Sequence, residues 1–155
     1  AVDSRIAKHS DLVIVARTDS LAVEGLDNAI SRVKTYQKAG ADILFIEAPN
    51  QIDDLKEINS KIEMPLLLNQ IEGGQTPIIS LEDAHRLGFK IILFPLTALY
   101  ASTKAIFDVF TSLMNKQTST GLENKLITFD LFNELVNYDE FIKLEKNFSA
   151  NNINK

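Results

Sequence analysis

Short apolar runs alternate with longer amphipathic stretches along most of the chain. Four short runs, residues 12–16, 42–46, 65–68 and 91–94, are apolar except for Asp42, and several of their residues are β-branched. Runs of this length between polar loops are typical of strands that are buried on both faces. Between them, apolar residues recur at three- and four-residue steps, which predicts helices. This alternation predicts an α/β fold with a parallel sheet.

The ends of the predicted helices carry recognisable signals. Gly40 follows the first helical pattern as a C-terminal cap, and Ser80 precedes the third, with Glu82 and Asp83 in its first turn. The fourth helix is the longest and is predicted over residues 98–115. We expect the buried stripe of that helix to comprise Leu99, Ser102, Ile106, Val109, Phe110 and Leu113.

The last part of the chain has a different pattern. Residues 116–121 are polar and rich in Thr and Ser, which is typical of a connector. Two short helices are predicted near residues 129–136 and 138–146. The polar tail, residues 149–155, is predicted to fray.

Two architectures fit four strand–helix units. One is an open, doubly wound sheet, and the other is part of a (β/α)8 barrel, which needs about 250 residues when complete. The pattern alone does not choose between them. In either case residues 1–116 form the sheet-containing part, and residues 117–155 form a linker and a C-terminal helical segment.

Composition excludes several classes of protein. The 155 residues are 45% hydrophobic and 24% charged, which is ordinary for a globular domain and excludes a fibrous or disordered chain. The net charge is −5 without a basic cluster, so we expect no nucleic-acid partner. With neither a membrane-length apolar run nor a secretory signal, we expect a cytoplasmic protein without a membrane partner. The absence of cysteine excludes a disulfide or a thiol nucleophile within this chain.

Polar residues follow three of the four predicted strands. Arg17 closes the first strand, Glu47 the second and Asn69 the third. The carboxyl ends of parallel strands carry the site in both architectures. An arginine can clamp a carboxylate, a glutamate can hold a divalent cation directly or through water, and an amide can donate to an oxyanion. Each alone also fits a structural role, such as an ion pair with Asp19, but together they predict a site for a small, oxygen-rich anion.

Four ordered motifs resemble the isocitrate lyase/phosphoenolpyruvate mutase superfamily. They are VARTDS at residues 15–20, GADILFIEA at 40–48, PLLLN with EGG and TP between residues 65 and 77, and LGF with FPLT between residues 87 and 97. The loop EGGQTP most resembles the branch that contains methylisocitrate lyase, dimethylmalate lyase, oxaloacetate hydrolases and carboxyphosphonoenolpyruvate mutase.

The resemblance implies a fold and a site together. Members are (β/α)8 barrels that swap their last helix between the subunits of a dimer or tetramer, and they bind Mg²⁺ and small 2-oxo or 2-hydroxy acids. It therefore implies a homo-oligomeric carbon–carbon lyase that acts on a small diacid through a metal-stabilised enolate. Glu47 would lie in the Mg²⁺ shell, through water, with Asp19 and Glu72 supporting the site. The residues that would bind substrate are Arg17, Glu47, Asn69, Gln70 and Ile71.

The chain also departs from the family. Members carry their metal-binding aspartates and catalytic cysteine in the first four units, whereas this sequence resembles the last four and has no cysteine. We therefore expect no catalytic residue within this chain, an N-terminal half as its missing partner, and no activity by the chain alone. Carbon–phosphorus bond chemistry, oxaloacetate decarboxylation and a non-catalytic half-barrel that only binds or assembles stay open as alternatives.

We expect the polypeptide that the source organism makes to have a length closer to that of a complete barrel, about 250 residues. Mass spectrometry under denaturing conditions measures this directly. A native mass of 17.3 kDa would contradict the expectation and favour the non-catalytic half-barrel.

Overall fold

The structure is a computed structural model that describes residues 1–149. Of the tail predicted to fray, only Ser149 lies within the described residues. In chain order the elements are α1 Val2–Ala7, β1 Val15–Thr18, α2 Leu21–Glu24, α3 Leu26–Lys38, β2 Ile43–Ile46, α4 Ile52–Lys61, β3 Leu66–Asn69, α5 Leu81–Arg86, β4 Phe89–Leu93, α6 Thr97–Lys116, a 3-10 helix Glu123–Lys125, α7 Phe129–Leu135 and α8 Tyr138–Phe148.

The four strands form one parallel sheet in the order β1-β2-β3-β4. A doubly wound sheet reverses its strand order at a switch point and carries helices on both faces. Here the order is sequential, and the helices of the main core cover one side of the sheet. This is the arrangement of consecutive units in a (β/α)8 barrel, so the predicted α/β fold is confirmed and the barrel is favoured over the open sheet.

Alternate residues of the inner strands point to opposite sides of the sheet. Phe45 and Leu67 are register partners on β2 and β3, and both are buried outside the main hydrophobic core. Their strand neighbours point the other way, toward the helices. The helix-facing core contains Leu44, Ile46, Leu66 and Leu68 from the strands, with Ala29, Ile30, Val33, Leu55, Ile58 and Ala84 from α3, α4 and α5.

The prediction for the first strand needs two corrections. β1 begins at Val15, three residues later than predicted, and includes Arg17 and Thr18. It is not buried on both faces either, because Val15 and Arg17 are exposed while Thr18 is buried. The physical reason is that β1 is an edge strand, which pairs on one side only, with β2. β4 begins at Phe89, two residues earlier than predicted.

α6 confirms the predicted long helix but not its burial. None of its residues is buried, and Leu99, Ile106 and Phe110 are each more than half exposed. The predicted buried stripe is therefore wrong for the described part of the chain. Periodicity shows which side of a helix is apolar, but burial also requires another element to cover that side. The residues whose predicted burial is wrong are Leu99, Ser102, Ile106, Val109, Phe110 and Leu113.

The predicted helix caps are confirmed. The Ser80 hydroxyl accepts a hydrogen bond from the Asp83 N–H at 3.0 Å at the start of α5. Gly40, with φ +93°, follows the last residues of α3 in the left-handed conformation that glycine adopts at helix ends. The helices α1 and α2 were not predicted.

The described residues divide into two compact units, Ala1–Ala101 and residues 102–149. The first unit contains the sheet and α1 to α5. The second contains α7 and α8, and the Thr128 hydroxyl caps α7 by accepting from the Leu131 N–H at 3.3 Å. The boundary predicted after residue 116 stays a prediction. Within residues 1–149, no helix has the length and apolar character needed to cross a membrane.

Leu44→Ala is expected to lower the free energy of unfolding by about 2–5 kcal/mol. Leu44 lies in an inner strand and is 0% exposed, so truncation leaves a cavity. Val23→Ala, at a position that is 87% exposed, is the control and should change stability by less than about 0.5 kcal/mol. Urea unfolding followed by circular dichroism measures both values, and similar losses in the two variants would contradict this core assignment.

Candidate functional site

The three polar residues predicted at strand ends meet at one edge of the sheet. Arg17 is the third residue of β1, Glu47 follows β2 directly, and Asn69 is the last residue of β3. The Glu47 N–H donates to the Thr18 carbonyl at 3.0 Å, so the backbone ladder continues to the residue that carries the carboxylate. Because the strands are parallel neighbours, their carboxyl ends bring these side chains together.

A cavity of 230 Å³ opens beside Glu47 and Asn69. One wall is the turn after β2 and the other is the segment between β3 and α5, residues 70–80, called the β3–α5 loop below. The volume corresponds to about eight liquid-water molecules at about 30 Å³ each, so it suits a small ligand. The residues that line it are Glu47, Ala48, Asn69, Ile71, Gly74, Gln75 and Thr76.

Arg17 lies between two carboxylates. Its Nε donates to Asp19 Oδ1 at 2.6 Å and its Nη2 to Asp19 Oδ2 at 3.1 Å, which is a bidentate pair. The same Nη2 is 3.2 Å from Glu47 Oε2. Hydrogen bonding to Asp19 raises the pKa of Arg17, and the same bond lowers the pKa of the Asp19 carboxyl. The guanidinium is therefore a permanent positive charge whose orientation is set by Asp19.

The ring of Phe45 supports Arg17 from the neighbouring strand. Arg17 Cζ is 5.1 Å from the ring centre, and the two residues are register partners in β1 and β2. The negative face of an aromatic ring attracts a guanidinium. Sequence analysis missed this contact. Its signal was the two-residue spacing between Phe45 and Glu47, which places both side chains on the same face of β2.

Two oxygen atoms at the cavity have no hydrogen-bond donor among the described residues, Glu47 Oε2 and Asn69 Oδ1. The approach of Arg17 to Glu47 Oε2 is an ion pair whose direction does not make a hydrogen bond. Buried polar atoms in native proteins are nearly always paired. A ligand hydroxyl, an ordered water or the hydration shell of a cation would satisfy both oxygens.

The donor set fits part of a magnesium shell. Residues 1–149 contain no group of three His, Cys, Asp or Glu side chains that could hold a metal ion. Mg²⁺ usually keeps several waters and is bound through one or two carboxylates, and its ligands are oxygens. Glu47 and Asn69 supply such oxygens, whereas a complete protein cage is not formed by the described residues.

The other predicted site residues lie around the same loop. Ile71 lines the cavity. The Glu72 carboxylate accepts a hydrogen bond from the Thr97 hydroxyl, which lowers the pKa of Glu72. Gln70 is fully buried, and its Oε1 accepts from the Ile79 N–H at 2.6 Å. The roles predicted for these residues in substrate binding stay predictions.

Ala48 is a wall residue that sequence analysis did not identify. Its φ is +57°, a left-handed conformation that is uncommon for a residue with a side chain. Such strain of about 1–3 kcal/mol persists where the surrounding structure imposes it, and it concentrates at functional sites. Here it turns the chain directly after Glu47, where the cavity begins.

Comparison with known proteins identifies the class. A family model described as phosphoenolpyruvate phosphomutase matches residues 1–114. The 2,3-dimethylmalate lyase of Eubacterium barkeri is 40% identical over 122 residues, which cover 79% of this chain and 42% of that protein. The chloroplastic carboxyvinyl-carboxyphosphonate phosphorylmutase of Arabidopsis thaliana is 48% identical over 107 residues, covering 67% and 32%. The 2-methylisocitrate lyase of Aeropyrum pernix is 40% identical over 113 residues, covering 73% and 37%.

Solved structures agree with this assignment. A crystal structure of 2,3-dimethylmalate lyase, a PEP mutase/isocitrate lyase superfamily member, superimposes with a TM-score of 0.83 at 33% identity and covers 94% of this chain and 51% of that chain. Oxaloacetate acetylhydrolase with its product oxalate gives 0.83 at 27% identity, covering 94% and 50%. Phosphonopyruvate hydrolase, solved with oxalate and Mg²⁺, gives 0.76 at 21% identity and covers 89% and 50%, a likeness that shows the fold alone.

The fold and these matches define an enzyme superfamily of lyases and mutases. The chain belongs to the phosphoenolpyruvate phosphomutase family within the PEP mutase/isocitrate lyase superfamily. The predicted family and the predicted half of a (β/α)8 barrel are confirmed. The chain spans between a third and about half of the length of the relatives named here.

Arg17→Gln is expected to raise the pKa of Asp19 toward its ordinary value of about 3.9, because the guanidinium that stabilises the carboxylate is lost. Carbon-detected NMR titration of the side-chain carboxyl measures this. Arg32→Gln removes the partner of Glu24, 2.9 Å away, and is the matched control that should leave Asp19 unchanged. An unaltered Asp19 pKa in Arg17→Gln would rule out the bidentate pair.

Proposed function

We propose that this chain is the C-terminal half of a Mg²⁺-dependent carbon–carbon lyase that acts on a small 2-hydroxy or 2-oxo diacid. The supporting observation is the meeting of Arg17, Glu47 and Asn69 at the cavity end of three parallel strands. Relatives named dimethylmalate lyase and methylisocitrate lyase support the reaction class.

The dimensions of the cavity support a small substrate. Pockets for drug-sized ligands measure about 300–1,000 Å³, and this one measures 230 Å³. Arg17 is linked to the cavity through its ion pair with the lining residue Glu47. Asp19 engages Nε and one N–H of Nη2, so a substrate carboxylate would approach Nη1 and the second N–H of Nη2.

The remaining polar groups would orient the substrate. A 2-hydroxyl group would donate to Glu47 Oε2 or Asn69 Oδ1, the two acceptors without donors among the described residues. In the cleavage step a base outside this chain would take the hydroxyl proton, and the C–O bond would become a carbonyl as the neighbouring C–C bond breaks. The electron pair of the broken bond would stay on the neighbouring carbon beside a carboxylate, as an enolate. We place the proton donor that quenches this enolate outside the chain, which has no cysteine.

The charge of the site supports a metal cofactor. Arg17 contributes one positive charge, while Asp19 and Glu47 contribute two negative charges in direct contact with it. An anionic substrate would therefore meet a negative environment unless another cation were present. When bound, Mg²⁺ supplies positive charge that stabilises the developing enolate. Glu47 would hold the ion through its waters, with other ligands contributed from outside this chain.

Exposed apolar surfaces support the proposed partners. Val15, Leu93 and Phe94, at the two edge strands, are exposed, and an N-terminal half would cover them. In the second unit, Phe129, Phe141 and other apolar residues of α7 and α8 are exposed as well. Exposed apolar patches of this kind mark protein interfaces. We therefore propose a homo-oligomer, a dimer or tetramer, that exchanges its C-terminal helices.

Carbon–phosphorus bond chemistry is the second candidate. The observation that favours it is the 48% identity to the Arabidopsis phosphorylmutase. Phosphorus NMR distinguishes the two candidates. A mutase changes the chemical shift of its substrate's phosphorus atom, whereas the substrates of the lyase reaction contain no phosphorus.

The protein that contains this chain is expected to cleave 2,3-dimethylmalate or methylisocitrate in the presence of Mg²⁺, and EDTA is expected to abolish the activity. Arg17→Gln should lower kcat/KM by about 10- to 100-fold, because a charged hydrogen bond to the substrate carboxylate contributes about 1.5–3 kcal/mol. A coupled assay of the 2-oxo acid product measures both effects.

Arg32→Gln, at an exposed ion pair with Glu24, is the control and should retain the rate. Unchanged kcat/KM in Arg17→Gln would contradict the proposed role of the arginine. Turnover of phosphonate substrates alone would favour the mutase, and no turnover of any of them would favour the non-catalytic half-barrel.

A further inference from the structure

We propose that Gln70 is a positioning residue, which holds the β3–α5 loop in place as a wall of the cavity through the Ile79 amide and does not contact the ligand. The effect on ligand affinity rests on the proposed function, whereas the effect on the loop does not.

Gln70 directly follows β3, and its side chain lies on the side of the chain away from the cavity. Asn69 lines the cavity, and successive residues of an extended chain point to opposite sides. Gln70 accordingly points away from the cavity, is 0% exposed, and is absent from the lining residues. Its backbone N–H donates to the Leu93 carbonyl at 2.9 Å, so the sheet holds the base of the side chain.

The Gln70 side chain connects the two ends of the loop. Its Oε1 accepts from the Ile79 N–H at 2.6 Å, nine residues further along the chain. Gly74, Gln75 and Thr76, which form the loop wall of the cavity, lie between these two residues. The hydrogen bond therefore restrains the segment that contains the wall.

A second contact restrains the same loop from another element. The Thr97 hydroxyl, at the start of α6, donates to the Glu72 carboxylate. Within the loop, the Gly74 N–H donates to the Ile71 carbonyl at 2.9 Å. The Gln70 side chain therefore joins the two ends of the loop, while the Thr97 contact and the turn restrain its first half.

Burial of the Gln70 side chain carries a free-energy cost that its packing alone does not explain. Its Nε2 is buried and has no hydrogen-bond partner among the described residues. An unsatisfied buried donor costs about 1–3 kcal/mol, so an apolar side chain of the same size would serve packing better. The bond from Oε1 to the Ile79 amide is what the glutamine adds.

Amide hydrogen exchange measured by NMR tests the restraint. Gln70→Met keeps the size of the side chain and removes the acceptor, so exchange of the Ile79 amide should accelerate at least about tenfold. A tenfold change corresponds to about 1.4 kcal/mol, the scale of one hydrogen bond. Amides of the inner strands, such as Leu44, should keep their rates and serve as the internal reference for global folding.

Two variants serve as controls. Gln70→Glu at pH 5, where a buried carboxyl is neutral and keeps an accepting oxygen, should restore the protection of Ile79. Gln37→Met makes the same chemical change on the exposed surface of α3 and should have no effect on Ile79. Acceleration in Gln37→Met, or none in Gln70→Met, would overturn the proposal.

A measurement on the unmodified chain covers the case in which Gln70→Met does not fold. Scalar coupling across the hydrogen bond, between Ile79 ¹⁵N and the Gln70 side-chain carbonyl carbon, should be observable. Its absence from an otherwise complete spectrum would overturn the proposal.

Titration of the protein that contains this chain with oxalate, in the presence of Mg²⁺, tests the link to the ligand. We expect Gln70→Met to weaken oxalate binding about three- to tenfold, with Gln37→Met unchanged. Faster loop exchange with unchanged oxalate affinity would overturn the positioning role. If the unmodified protein that contains this chain binds no oxalate, the ligand assignment of the proposed function fails, and the exchange experiment alone decides whether Gln70 holds the loop.

Discussion

Parallel pairing of neighbouring strands is the constraint on which the rest of this structure depends. Because β1, β2 and β3 are adjacent and run in the same direction, their carboxyl ends lie at one edge. Arg17, Glu47 and Asn69 are 22 to 52 residues apart in the chain, yet this pairing brings them to one site. The helices between the strands make such pairing possible. A connection between parallel strands has to carry the chain from the carboxyl end of one strand back to the amino end of the next.

The two faces of the strands have separate tasks. On the helix-facing side, Leu44 and Leu66 form the core that stabilises the unit. On the opposite side, Phe45 lies under Arg17 and precedes Glu47 by two residues. A shift of register by one residue would exchange the two sets of side chains, so the same pairing that stabilises the sheet also positions the charged groups. The loop after β3 extends this division, because Asn69 faces the cavity while Gln70 is buried away from it.

Local patterns predicted a large part of the fold correctly. The helices between the strands, α3, α4 and α5, follow from apolar spacing, and the caps at Ser80 and Gly40 follow from residue type. Both kinds of signal act between residues close in the chain. Strand-end residues Arg17, Glu47 and Asn69 were also found, since a polar residue after a buried run is visible in the sequence. The contact of Phe45 with Arg17 and the bond from Thr97 to Glu72 were missed, because each joins separate elements and depends on register or loop shape.

The sequence by itself determined the strand–helix order, the apolar sides of the helices and the residue types available at the strand ends. These properties depend on local periodicity and on each residue's own chemistry. Only the tertiary structure decided that the sheet is sequential, that the apolar side of α6 is exposed, and that Glu47 Oε2 and Asn69 Oδ1 lack donors among the described residues. The physical reason is that burial and hydrogen bonding depend on which distant elements come into contact, and the pattern along one segment does not contain that information.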